Sequence, residues 1–231
     1  MVNVVTEDGS DEKYHGTLNV YTDRFGIDVY DQKTFEGVVS LGGPVPLIDG
    51  LTFMVYGERK ASDGYLYGYN YPNWSDSKGL DIDPVSKLPA GEPTEVSMDK
   101  SEYSNASAKL KWQLASTIKL SAFVGYSEFK GIITSIAIDT SKLGCLIMIS
   151  EDLLVNLNFT HTLSSSTYYT LTFGSQSRDR FLGSFEDLAK YDVNTERSDP
   201  NNFVYSGENW QHQTEESGVK SIKAVFVSQV K

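Results

Sequence analysis

Between Leu153 and Gly174 the chain alternates apolar and polar positions twice, on either side of a polar turn. Leu153, Val155, Leu157 and Phe159 alternate with Leu154, Asn156, Asn158 and Thr160. After Ser164, Ser165 and Ser166, the residues Tyr169, Leu171 and Phe173 alternate with Thr170, Thr172 and Gly174. Successive strand side chains point to opposite faces, so the pattern predicts a hairpin with one apolar face and one face of Asn and Thr. An uncharged polar face suits a wet barrel interior as well as bulk solvent. A half-buried strand pair of a soluble sheet alternates in the same way, so the decision falls to repetition along the chain.

The pattern recurs. Further strands are predicted over Tyr14 to Tyr21, Thr34 to Leu41, Leu51 to Arg59, Tyr103 to Leu114, Ile118 to Tyr126 and Gly218 to Val227, about eight in all. Phe35, Gly37, Val39 and Leu41 share one face, as do Ala108, Leu110, Trp112 and Leu114, and Ile222, Ala224 and Phe226. The polar faces are mainly Asn, Thr and Ser, with Lys109, Lys111, Lys220 and Lys223 as their charges. The links at 42–50, 115–117 and 164–166 are short, and those at 22–33, 60–102, 127–152 and 175–217 are longer. Short turns at one end and long loops at the other are the mark of an up-and-down outer-membrane barrel. A soluble meander has no need of that parity.

Composition narrows the field. The 231 residues carry a formal net charge of −11, which argues against nucleic acid as a partner. Cys145 is the only cysteine, so an internal disulfide and a cysteine-built metal site are excluded. No apolar run is long enough for a transmembrane helix, a statement that leaves barrels untouched. The start, MVNVVTEDGSDEK, has neither a basic n-region nor an apolar h-region.

Several stretches resemble TonB-dependent outer-membrane receptors of the Bacteroidetes kind. VNVVTEDGSDEKYHGTLNVYTDRF is similar to the junction of plug and first barrel strand, and FEGVVSLGGPVPLIDGLTFMVYGER to the next hairpin with its periplasmic turn. KLKWQLASTIKLSAFVGYSEF and LLVNLNFTHTLSSSTYYTLTF resemble further hairpins. In the GGPVP stretch, Gly42 and Gly43 allow a turn, and Pro44 and Pro46 end the strand where no ladder donor is wanted. The resemblance implies residues 1–13 as the last plug strand and linker, and 14–231 as the N-terminal portion of the barrel. The expected fold is therefore all-β: an antiparallel up-and-down sheet forming part of a larger transmembrane barrel. Such barrels reach about 22 strands. Most of the plug is lacking and the chain stops at Lys231 without an aromatic-terminated last strand, so a fragment with Met1 as an internal start is expected.

The implied function of the parent receptor is energised uptake of a scarce ligand of the siderophore, cobalamin or oligosaccharide class, without catalysis; the fragment is not expected to perform it alone, because the plug and the TonB-contacting segment are absent. Its partners would be outer-membrane lipid, the TonB complex through the missing plug, and a small-molecule or oligosaccharide ligand. No cofactor is implied. Two alternatives stand: a small self-contained outer-membrane barrel acting as adhesin or structural protein, and a soluble β-sandwich binding module.

Candidate ligand contacts are Tyr65, Tyr67, Tyr69, Tyr71 and Trp74, which follow one another in the first long loop and could stack on a ligand. The competing reading is an interfacial girdle or a strand extension. Asp76, Asp81 and Asp83 offer oxygens to a cation but lack the spacing of a known calcium loop. His15, His161 and His212 are scattered, with His161 at a strand end, and no pair has metal-ligand spacing. No nucleophile elbow or phosphate-binding glycine pattern occurs. Gly131 to Ser150 is apolar where an outer loop should be polar, and reads either as a genuine strand pair or as out-of-frame sequence.

Overall fold

The computed structural model describes residues 8–23, 32–70, 94–134, 145–183, 197–198, 204–206 and 212–228. The strands are β1 (His15–Thr22), β2 (Phe35–Pro44), β3 (Leu51–Ser62), β4 (Tyr67–Asn70), β5 (Thr94–Ser97), β6 (Ser101–Ala115), β7 (Ile118–Thr134), β8 (Cys145–Ser164), β9 (Thr167–Gly183), β10 (Arg197–Ser198), β11 (Val204–Ser206) and β12 (His212–Ser228). Eight of them form one sheet in the order β1-β2-β3-β6-β7-β8-β9-β12. Every neighbouring pair is antiparallel. The other four form two small hairpins, β4–β5 and β10–β11, inside long connections. The sheet is not closed, and β1 and β12 are its edges. The all-β, up-and-down architecture is thus the one that the alternation predicts.

The strands run further than the apolar pattern reaches. The pattern ends at Tyr126 and resumes at Leu153, yet the β7–β8 ladder continues through Ser127↔Asp152 and Glu128↔Glu151 to Thr134↔Cys145. Likewise β12 pairs with β9 as far as His212↔Gly183. A ladder is held by backbone hydrogen bonds, which are indifferent to side-chain polarity, so it passes through the charged positions Glu128, Lys130, Glu151 and Asp152, where the alternation breaks. Gly131–Thr134 and Cys145–Ser150 pair in register, as the strand-pair reading of this apolar stretch requires, while 135–144 lie outside the described residues. The short turns fall at 45–50, 116–117 and 165–166 and share one end of the sheet, and the long connections share the other.

Gly42 and Gly43 correct one expectation. They lie within β2, not in the turn, and both are paired with β1 or β3 neighbours: His15↔Gly42, Gly42↔Met54 and Gly43↔Phe53. Their role is close approach. A Cβ on Gly43 would come within 2.4 Å of the Tyr14 ring, and one on Gly42 within 2.7 Å of Met54 Sδ. The left-handed backbone of the turn falls instead on Leu47 (φ 69°) and Gly50 (φ 73°).

Cross-strand partners share a face, so the register sorts every strand residue. One face carries an apolar band: Leu51, Trp112, Leu120, Phe159 and Leu171 form one row across five strands, and Phe53, Leu110, Ala122, Leu157, Phe173 and Ile222 form the next. Among the described residues no second layer covers these side chains, though Phe53 meets the Tyr14 ring at 6.3 Å. Leu110, Leu157, Leu171 and Phe173 are all exposed, and Ile222 is 83% exposed. Among the described residues the buried apolar side chains are Met54, Met98 and Leu146, far too few for a core of this size. Towards the long loops the band ends in a row of carboxylates, Glu128↔Glu151↔Asp179↔Glu216, on four adjacent strands. Towards the short turns it ends in aromatics: Phe159, His161 and Tyr169 are in ring contact at 5.4–6.4 Å. Lys220 departs from expectation. It pairs with Ser175 and shares the apolar face, in parity with Ile222.

Candidate functional site

The opposite face is polar and bonded within itself. The Thr172 hydroxyl donates to Asn158 Oδ1 at 2.8 Å, Asn158 Nδ2 donates to Asn156 Oδ1 at 3.2 Å, and the hydroxyls of Thr160 and Thr170 meet at 3.1 Å. The ion pair Arg178–Asp152 spans β9 and β8 at 2.7 Å. These short side chains satisfy one another's hydrogen bonds within the face.

The segment before β1 folds onto this face. Asp8 reaches across to β6 and binds Lys109 Nζ at 2.6 Å and Lys111 Nζ at 2.9 Å. Gly9 lies against the backbone of β2 and β3, where a Cβ would sit 2.1 Å from the carbonyl oxygen of Phe53. Partial burial alone would raise the Asp8 carboxyl, but the two ammonium groups outweigh it and hold the group down at about 2. The sequence carried a hint of this clip: Lys109 and Lys111 project from one face of β6 with no acid on that face of the same strand, and the residues before β1 are acid-rich.

Between the clip and the long loops, the polar face holds a groove of 690 Å³ that runs from β1 to β9. Tyr56, Asn105, Phe123, Gln176 and the Asp152–Arg178 pair line it. Phe123 lies over Gly125, two residues along the same face, at 3.1 Å from where a Cβ would stand. The Tyr56 hydroxyl donates to Glu58 Oε2 at 2.9 Å, which fixes its ring. This groove escaped the sequence reading because its residues come from seven strands and form no motif.

The loop aromatics are only partly in view. Tyr65 is 80% exposed, at the foot of the first long loop. Its backbone N–H donates to Asp99 Oδ2 at 3.1 Å, and that of Leu66 to Asp99 Oδ1 at 3.0 Å. Gly64 turns there with φ 74°, and a Cβ on it would strike the same carboxylate. Tyr67 and Tyr69 sit on β4, opposite Ser97 and Glu95 of β5, so this part of the tract is a strand extension above the main sheet. Tyr71, Trp74, Asp76, Asp81 and Asp83 lie outside the described residues. Among the described residues no group of His, Cys, Asp and Glu is arranged to hold a metal ion. His161 is on the apolar face near the short turns, its Nδ1 3.2 Å from the Tyr169 hydroxyl, and His212 meets Phe181 edge-on at the far end.

No known family profile matches the chain, and no curated protein or solved structure is significantly similar to it.

Proposed function

We propose that this chain forms part of the wall of a transmembrane β-barrel in an outer membrane, and that the barrel is a TonB-dependent receptor taking up a scarce ligand. The observation that carries the reading is the exposed apolar band on a single-layer sheet, bounded by carboxylates at one end and aromatics at the other. On β8 it spans Leu153 to His161. That is about 27 Å of strand, or about 20 Å of height at a tilt of roughly 40°. The figure is close to the apolar belt of such barrels, and in water a face of that extent would drive association. The polar opposite face then borders the lumen. The Asp8 clip puts the segment before β1 on that lumen side, as a plug leading into the barrel would be. The open edges of β1 and β12 offer ladder positions to further strands, which favours a wide barrel over a closed eight-stranded one.

Trp112 provides the test. It sits in the turn-side row of the band. With the other two tryptophans replaced, W74F and W210F, the chain is refolded into phosphatidylcholine vesicles. Brominated acyl chains are expected to quench Trp112, most strongly with bromine near the headgroup. A Trp112 that iodide quenches from the aqueous phase and bromolipids leave untouched would sink the barrel reading. In cells that make the protein, disruption of its gene is expected to lower ligand accumulation by the same increment that collapse of the proton gradient removes.

A further inference from the structure

We infer that the groove on the polar face is a binding site for a neutral oligosaccharide. The inference rests on the barrel-wall reading for its orientation towards the lumen, and narrows the ligand class that this reading leaves open. Charge is the first argument. The charged groups lining the groove are Lys109, Asp152 and Arg178, and each is already paired: Lys109 with Asp8 at 2.6 Å, and Arg178 with Asp152 at 2.7 Å. An anionic metal chelate would have to displace a carboxylate to gain a cation, and a cationic ligand the reverse. The groove therefore favours a ligand without charge.

Shape and surface are the second. Tyr56, Ser107 and Gly125 are consecutive ladder partners on β3, β6 and β7. The small Ser107 in the middle leaves an open floor. The Tyr56 ring stands at one side of it, and the Phe123 ring, folded over Gly125, at the other. Asn105 and Gln176 add amide groups within the same groove, each able to donate and accept. Two aromatic rings, with Asn105 one row towards the long loops and Gln176 further across the sheet, match a pyranose chain, whose rings present apolar C–H faces and hydroxyl edges. The groove also crosses from β1 to β9, so it is elongated across the strands, as a linear chain of sugars requires.

The experiment titrates the full chain, refolded in phosphatidylcholine vesicles, with maltohexaose, cellohexaose, xylohexaose, ferric enterobactin and cyanocobalamin. At least one hexasaccharide is expected to bind. F123L, which keeps bulk and loses the ring, is expected to weaken it roughly fivefold. Q176L is expected to weaken it by a similar factor, since it strips a hydrogen-bonding group from the groove. Thermal melting and Trp112 quenching of both variants should match the parent. The inference is overturned if a chain that passes the Trp112 test binds none of the three sugars. It is equally overturned if F123L and Q176L bind as the parent does, or if ferric enterobactin or cyanocobalamin binds in their place. A chain that binds sugar with the expected sensitivity to F123L, yet gives no Trp112 quenching, keeps the groove and discards the barrel wall.

Discussion

Three residues at the turn end of the sheet carry definite expectations. Leu47 adopts φ 69° with its side chain fully exposed, so it has left-handed strain and no packing in return. Leu47→Asn is expected to stabilise the folded chain by roughly 1 kcal/mol, since Asn tolerates that conformation. Gly50 is the opposite case: its φ is 73°, and a Cβ would stand 2.6 Å from the Gln113 carbonyl oxygen. Its own carbonyl accepts the Gln113 N–H at 2.8 Å. Gly50→Ala is expected to cost at least ~1 kcal/mol, because strain and clash add. Urea unfolding of both variants in vesicles measures the two effects, which should have opposite signs. Asp8 is a question of pH. Its carboxyl is held at about 2, below the ordinary value of 3.8, so its attraction to Lys109 and Lys111 is fully present above about pH 4 and is lost as pH falls towards 2. A spin label at S10C, in a C145S background, is expected to be immobile at neutral pH and to loosen in that acid window. In D8N it should be mobile at every pH, and a label that ignores both acid and D8N would show that the clip does not hold the segment.

At the scale of elements, the row Glu128, Glu151, Asp179 and Glu216 sets like charges directly opposite one another on four strands, an arrangement that destabilises a ladder. Lys130 relieves Glu128 at 2.7 Å, and among the described residues no ion pair reaches the other three. Glu151→Gln, at the centre of the row, is expected to stabilise the sheet by up to about 1 kcal/mol, with the gain shrinking as salt is raised. A loss of stability, or a gain indifferent to salt, would mean that the row is neutralised by something other than solvent ions. This row also explains how far the fold could be read from the chain. Eight strands and their order follow from alternation and turn residues, because a sheet with one apolar and one polar face leaves period two in the sequence. Beyond the apolar band the charged positions around Glu128, Glu151, Asp179 and Glu216 interrupt that alternation although the ladders continue through them, so β7, β8, β9 and β12 were read short. Gly42 and Gly43 were misplaced for a related reason: a glycine that admits a neighbouring ring and one that permits a turn look the same in sequence. The groove was hidden more deeply. Tyr56, Phe123 and Gln176 become neighbours only once register is fixed, and register is a property of strand pairs.

At the scale of the molecule, one pair of adjacent residues separates the architectures that this chain could serve. Leu157 and Asn156 are neighbours on β8 and point to opposite faces: Leu157 pairs with Ala122 and Phe173 in the apolar band, and Asn156 with Phe123 and Gly174 on the polar side. In a wide barrel the first meets lipid and the second meets water. Leu157→Lys is then expected to cost about 2–4 kcal/mol in vesicles, and Asn156→Lys less than about 0.5 kcal/mol. A closed eight-stranded barrel fills its interior with side chains; there Asn156→Lys would be costly as well, because the lysine would displace packed neighbours. A soluble sandwich buries the apolar face against a second sheet; the chain would then unfold cooperatively in plain buffer, with Leu157→Lys severe there, and vesicles would add nothing. Urea titrations of the parent and these two variants, with and without lipid, therefore distinguish three folds that share one strand order. The exposed band and the self-bonded polar face both favour the first pattern, in which lipid is required, the apolar position is intolerant and its neighbour is indifferent.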